Sequence, residues 1–261
     1  MVGGSSTLMV PTPYVAGVPI VSPGIYPDVP MELYHGAMLC DGPSISSSGL
    51  RKILLDSPAH YWGECPLNAN SVEPKEKEVY IIGRAAHHLV LGQGGFSKLF
   101  VIRPTELSGK AWHSNRTDCK EWLRDRQNEG LIVLKGEQVE SIKGMSESLA
   151  RHPLVEAGIL NGMIEQTIVF RHKVTGVWMK SRPDAIPGSS GDFADLKTTT
   201  SVDYEQLQRT IGDCGYQIQA AVVGMAAREV LKIEMNSFSL VFVEKTHPYC
   251  VRVCALYHED V

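Results

Sequence analysis

Between residues 164 and 256 the order of apolar segments leaves this chain few ways to fold. Three strand-like stretches, at 164–170, 177–186 and 193–197, follow one another through turns at 172–176 and 187–191. Helical spacing then takes over at 204–211 and 216–230. Two more apolar strands, 238–243 and 249–256, are joined by a turn at 245–248. With a short helix stopped by Asn161-Gly162 before the first three strands, the order is helix, three strands, helix, two strands, which predicts an α/β fold. At 261 residues and 43% hydrophobic content, the chain can bury one large core or two modest ones.

Upstream of this block the signals are local. Residues 1–35 contain Pro11, Pro13, Pro19, Pro23, Pro27 and Pro30, spaced too closely for a helix to run between them. They read as a flexible or extended arm preceding a single domain at 36–261. Ser46 and Ser48 offer N-caps to a helix carrying Leu50, Ile53 and Leu54, which should stop near Ser57-Pro58. A second helix is expected at 75–91, with Val79, Ile82, Ala86 and Leu89 or Val90 on its buried face and with Gly83 and His87 one turn apart. A short strand at 99–102 and helices at 116–127 and 137–150 complete the reading.

Composition excludes several classes. The six cysteines form no CxxC pair, and no basic start of a signal peptide precedes Arg51, so reduced thiols in a soluble cytoplasmic protein are expected. Cys250 and Cys254, four apart on one strand, read as core thiols rather than iron-sulfur ligands, because no two further cysteines are obviously placed near them. No apolar run approaches the roughly 20 residues of a membrane span.

The chemistry concentrates on the second and third strands of the block. Pro183-Asp184 is followed, ten residues later, by Asp195-Leu196-Lys197, the pattern PD-x10-DxK. In a hairpin, Asp184 would end one strand while Asp195 and Lys197 project from one face of its neighbour. Two carboxylates and the Leu196 carbonyl make a hard oxygen site suited to Mg²⁺, with an ammonium beside it. Phosphodiester hydrolysis needs such a set, a metal to polarise the phosphate and a cation to offset developing charge. The plainer alternatives are that Asp184 caps a turn, Lys197 is a solvated strand-end residue and His87 is a core histidine.

The motif has company. Ile45-Ser46-x-Ser48-x-Leu50 with Ser57-Pro58-Ala59-His60-Tyr61, Gly83-x-Ala85-x-His87, Glu165, Arg182-Pro183-Asp184, Asp195-Leu196-Lys197-Thr198-Thr199 and Tyr216-x-x-Gln219 occur in order over residues 44–257. In these motifs the chain resembles the RecE-type exonucleases (exonuclease VIII) and their phage and prophage relatives within the PD-(D/E)xK superfamily. The resemblance implies an α/β restriction-endonuclease-like PD-(D/E)xK core with a central mixed sheet flanked by helices, with Asp184 and Asp195 as metal ligands and Lys197 positioning the nucleophilic water. It also implies that His87 completes the coordination and that Glu165 holds a metal-bound water or steers Lys197. Imidazole is a better ligand for Mn²⁺ than for Mg²⁺, so Mn²⁺ should substitute. Gln219 and Tyr216 are expected at the DNA backbone, although the family's Gln-xxx-Tyr pattern is broken by Val223. Ser46, Ser48 and Arg51 suit a terminal phosphate, with an ordinary N-cap and a surface arginine as the alternative.

The function this implies is a Mg²⁺-dependent 5′ to 3′ exodeoxyribonuclease acting on double-stranded DNA ends and leaving 3′ single strands for recombination. The alternatives are an endonuclease or helicase-associated nuclease on the same fold, or a catalytically silent nucleic-acid-binding protein. No Gly-x4-Gly-Lys-Ser/Thr loop is present, so ATP-driven unwinding would need another chain. A net charge of -4 is awkward for a DNA enzyme. The cations are uneven, however, with Arg103, Lys110, Arg116, Lys120, Arg124 and Arg126 set against Glu106, Asp118, Glu121 and Asp125. Such a strip would serve best lining the channel of a homo-oligomeric ring, as the resemblance also implies, with a RecT-like single-strand annealing protein as a further partner.

Overall fold

The structure is a computed structural model, and it describes residues 10–36, 38–72, 78–92, 95–257 and 259. The strands that position the site are β1 (Gly24–Tyr26), β2 (Ser44–Ser46), β3 (Met163–Ile164), β4 (Thr167–Arg171), β5 (Trp178–Ser181), β6 (Ala185–Ile186), β7 (Asp192–Thr199), β8 (Ser237–Glu244) and β9 (Val251–Leu256). The helices used below are α1 (Met31–His35), α2 (Ser47–Arg51), α3 (Glu78–Val90), α4 (Thr117–Asn128), α5 (Gly136–Ala150), α6 (Tyr204–Asp213) and α7 (Tyr216–Ala226).

A five-stranded sheet has the order β9-β8-β7-β6-β3. β7 and β8 run parallel over their whole length, from Asp192↔Ser237 to Thr199↔Glu244, and the other pairings are antiparallel. The parallel step requires a crossover, which α6 and α7 supply. Because side chains alternate along a strand, β7 and β8 serve two cores at once. Phe193, Leu240 and Phe242 pack on one face with Ala220, Val222 and Val223 of α7. Ala194, Leu196, Val241 and Val243 pack on the other with Ala85 and Ala86 of α3 and with Ile142, Met145 and Leu149 of α5. Asp195 and Lys197 share the parity of Phe193 and therefore face α7.

The expected three-strand meander is interrupted. A second sheet, β1-β4-β5-β2, takes the first half of the hairpin, and the five-stranded sheet takes the rest. Ile168↔Ser181 and Ile164↔Ala185 nevertheless belong to one antiparallel register. Glu165 thus stands opposite Asp184, Gln166 opposite Pro183 and Thr167 opposite Arg182. Pro183 has no N–H to give the ladder, and Glu165 takes a left-handed φ of 51°. These two residues divide the long strands expected at 164–170 and 177–186, and the acidic residues of interest stand at the division.

In the described part of the proline-rich segment, residues 10–35, the chain packs on the domain. Ile20, Ile25, Tyr26, Val29 and Tyr34 are buried, and β1 pairs with β4 from Gly24↔Val169 to Tyr26↔Thr167. Proline spacing forbids a helix but leaves room for a short strand: β1 fits between Pro23 and Pro27 and lets Ile25 into the core. Of the alternatives Leu89 and Val90, Val90 packs against the second core while Leu89 is exposed, as is Leu54. Cys250 is exposed, not a core thiol, because it precedes β9 in the chain, while Cys254 is half-buried against the first core. The start of the expected helix at 75–91 lies outside the described residues; its described part is α3. Among the described residues, no helix is long and apolar enough to cross a membrane.

Candidate active site

At the edge where β6 leaves β7, the ladder contributes a single pair, Ala185↔Ala194. One step further the Asp184 carboxylate, not a main-chain carbonyl, accepts the Leu196 N–H at 2.5 Å. Within a strand the N–H and C=O of a residue point to the same edge, so the Leu196 carbonyl faces this edge as well. Asp184 is also approached by His87 of α3, Nδ1 to Oδ2 at 3.4 Å. The Glu165 N–H donates to the Asp184 carbonyl at 3.0 Å, which fixes Glu165 beside its partner across the hairpin. Among the described residues, His87, Glu165 and Asp184 each bring one donor atom within 4.8 Å of the others.

Asp195 stands on the α7 side of the same edge. One of its oxygens is ion-paired with Lys197, and the other accepts from Gln219 Nε2 at 2.7 Å. The expected set therefore converges, with a division of labour. Glu165 joins His87 and Asp184 as a donor, while Asp195 is engaged by Lys197 and by Gln219, which was expected at the DNA backbone instead. Tyr216 lies between two cations: Lys197 Nζ is 4.9 Å and Arg51 Cζ 5.9 Å from its ring centroid. Arg51 in turn donates to Ser48 Oγ at 3.2 Å and to the Cys214 carbonyl at 3.1 Å. Ser46 caps α2 without a side-chain bond to the helix.

Ser46 and Ser48 line a cavity of about 660 Å³, together with Ser44, Lys52, Tyr61 and Lys180. Lys180 is buried, donates to the Gly36 carbonyl at 2.7 Å, and has its ammonium pushed down to about 8 by burial. The row Lys197, Tyr216, Arg51, Ser48 connects this cavity to the acidic cluster.

The electrostatics of the cluster follow from burying several charged groups at one point. Taking a charge out of water costs several kcal/mol per ion, whereas an ordinary surface pair returns about 0–1 kcal/mol. Burial, then the Asp184 carboxylate, push Glu165 up to about 7. Burial and Asp184 likewise raise Asp195, against the opposing pull of Lys197. Asp184 itself is lowered: burial opposes this, but His87, Lys197 and the Leu196 N–H outweigh it. His87 and Lys197 are both raised, the carboxylates overcoming the burial that would discharge them. Three acids, Glu165, Asp184 and Asp195, crowd one point, and a divalent cation would relieve their mutual repulsion. A donor set of one imidazole and two carboxylates fits such an ion. If His87 is a ligand, His87→Ala is expected to lower metal-dependent activity strongly in Mg²⁺ and to recover part of it in Mn²⁺; activity equal to the parent in Mg²⁺ would make it a core histidine.

A mixed sheet between helix layers, with buried acids and a lysine at the edge of its hairpin, defines the PDDEXK-like class. The chain belongs to the family described as "PDDEXK-like domain of unknown function (DUF3799)", which matches residues 46–261. No curated protein matches it by sequence. Among solved structures it is similar to a chain from Eubacterium rectale described as a "Putative exonuclease", with a TM-score of 0.51 and 13% identity over 83% of this chain and 74% of that one. That likeness is one of fold.

Proposed function

We propose that the protein is a Mg²⁺-dependent exodeoxyribonuclease that digests double-stranded DNA from its ends in the 5′ to 3′ direction, leaving 3′ single strands for recombination. The observation that carries this reading is the meeting of His87, Glu165 and Asp184 beside the Asp195–Lys197 pair. In this reading His87, Glu165 and Asp184 would hold the cation, together with Asp195 and the Leu196 carbonyl. The ion, when bound, polarises the scissile phosphate and acidifies water at neutral pH. Lys197, anchored on Asp195 and packed over Tyr216, orients the attacking water and offsets charge on the phosphate. Gln219 keeps Asp195 pointed at the centre. Arg51 and Tyr216 lead the strand toward the cavity lined by Ser46, Ser48 and Lys180, where a strand end would come to rest. The cavity at the far end of that row is the feature that, on this reading, favours an end-directed enzyme over an endonuclease.

The ring and the single-strand annealing partner belong to the same reading, on a narrower footing than six cations. Arg116 is spent within the fold on Asp118 and the carbonyls of Leu107 and Ala111. Arg126 pairs with Glu129 and lies over Trp122, and Arg103 lies over Trp112. Lys110, Lys120 and Arg124 remain exposed.

Digestion of a linear duplex labelled separately at each 5′ and 3′ end, with Mg²⁺ and with EDTA, tests the proposal. Early release of the 5′ label, no release in EDTA and an untouched covalently closed circle are the expected results. Cleavage of the closed circle would make the protein an endonuclease, and loss of the 3′ label first would reverse the direction.

A further inference from the structure

We propose that Arg182 is a positioning residue for the cation-binding cluster, and that residues 29–34, which precede the family match, are a working part of the centre because they hold Arg182 in place. The inference rests on the site reading above and concerns how the cluster is kept in shape.

The register of the broken hairpin carries the argument. Glu165 and Asp184 stand opposite one another, and the next pair outside Gln166 and Pro183 is Thr167 with Arg182. At that level the β4–β5 ladder has ended, since Ile168↔Ser181 is its last pair. The side chains continue it: Arg182 Nε and Nη2 donate to Thr167 Oγ1 at 3.0 and 2.6 Å. Thr167 is fully buried, two residues after Glu165, and Arg182 is two residues before Asp184. The guanidinium thus ties together the two segments whose breaks present the carboxylates. Its planar fork satisfies two acceptors at fixed angles, which a lysine cannot do.

The rest of the fork is held from the N-terminal segment. Nη2 also donates to the Val29 carbonyl at 2.7 Å, Nη1 reaches Met31 Sδ at 3.4 Å, and the guanidinium lies 4.5 Å from the centroid of the Tyr34 ring. Lys180, one strand step earlier, donates to the Gly36 carbonyl and lies 5.6 Å from the same ring. Two cations, Lys180 in β5 and Arg182 just after it, therefore grip the main chain on either side of Tyr34, so the segment is bolted onto the stretch that leads to Asp184. The family match begins at residue 46, and these contacts show what the preceding residues add.

The test is Mn²⁺ affinity measured by calorimetry without DNA, with thermal unfolding of every variant recorded in parallel. Residues that orient metal ligands typically cost about 10–100-fold in affinity when their hydrogen bonds are removed. Thr167→Val, which removes the acceptor at nearly constant size, is expected to weaken Mn²⁺ binding about tenfold or more. Thr167→Ser should bind within about threefold of the parent, and Tyr34→Phe, which keeps the ring, should match it. A folded Thr167→Val that binds Mn²⁺ like the parent would overturn the proposal, as would a Thr167→Ser as weak as the valine variant, because size rather than the hydroxyl would then matter. Arg182→Gln gives the direct measurement if it folds; if it does not, the Thr167 pair decides. Asp184→Asn separates the two readings. If it binds Mn²⁺ normally, the site assignment itself has failed; if it alone loses the ion, only the role of Arg182 has.

Discussion

Asp184→Asn is expected to abolish hydrolysis and to remove most of the divalent-cation affinity. Asp184 is the hub of the cluster: His87 approaches its Oδ2 and the Leu196 N–H donates to the same atom, while its main-chain carbonyl fixes Glu165. An amide of the same shape keeps the main-chain contact with Glu165 but loses the charge that attracts the cation. It can also turn an NH₂ toward the Leu196 N–H, setting donor against donor. The fold should survive, because the acids at this edge repel one another and removing one charge relieves the others. Glu165, pushed up to about 7 in part by Asp184, should titrate lower in this variant. Calorimetry with Mg²⁺ and a nuclease assay check the result; activity above about a tenth of the parent would remove Asp184 from the centre.

Lys197→Ala should separate binding from chemistry. The ammonium is paired with Asp195 and packed on Tyr216, so it stands beside the cation-binding groups rather than among them. Removing a preformed charge from a centre where charge develops costs on the order of a hundredfold to a thousandfold in rate. DNA binding in Ca²⁺, measured by anisotropy, should change little, since phosphate contacts elsewhere supply that affinity. Equal losses of binding and of turnover would place Lys197 at the substrate instead. The variant also leaves Asp195 buried with only Gln219 on it, so some loss of thermal stability is expected.

How much of this was legible in the sequence depends on the range of each interaction. The spacing of Asp184, Asp195 and Lys197 is local to one hairpin, and alternation along a strand sufficed to bring them to one edge. The order of strands and helices from 164 to 256 was readable for the same reason, as apolar periodicity reports local geometry. The break at Glu165 and Pro183 was not read, although Pro183 inside an apolar run was its signal. Once the ladder stops there, Glu165 turns from a strand residue into a donor beside Asp184. Gln219 and Arg182 were harder. Their partners, Asp195 on another element and Thr167 across the hairpin, are set by packing that no periodicity encodes. The proline-rich start misled most, because proline spacing rules out a helix and says nothing about whether an extended segment will find an edge strand to join.

The two faces of β7 have a consequence for how the molecule comes apart. His87 arrives from the core packed under α3, whereas Gln219 and Tyr216 arrive from the core packed under α7, and they meet only at the edge of the sheet between them. Neither half holds the complete set. On the proposed reading, a cation held by His87 and Asp195 together would be a clasp across a seam: ligands that bind only the native state add to its stability, and the addition would fall on the joint rather than within either half. Loosening of one layer would open the clasp before either core melts, so the centre would fall silent while most of the secondary structure was still in place.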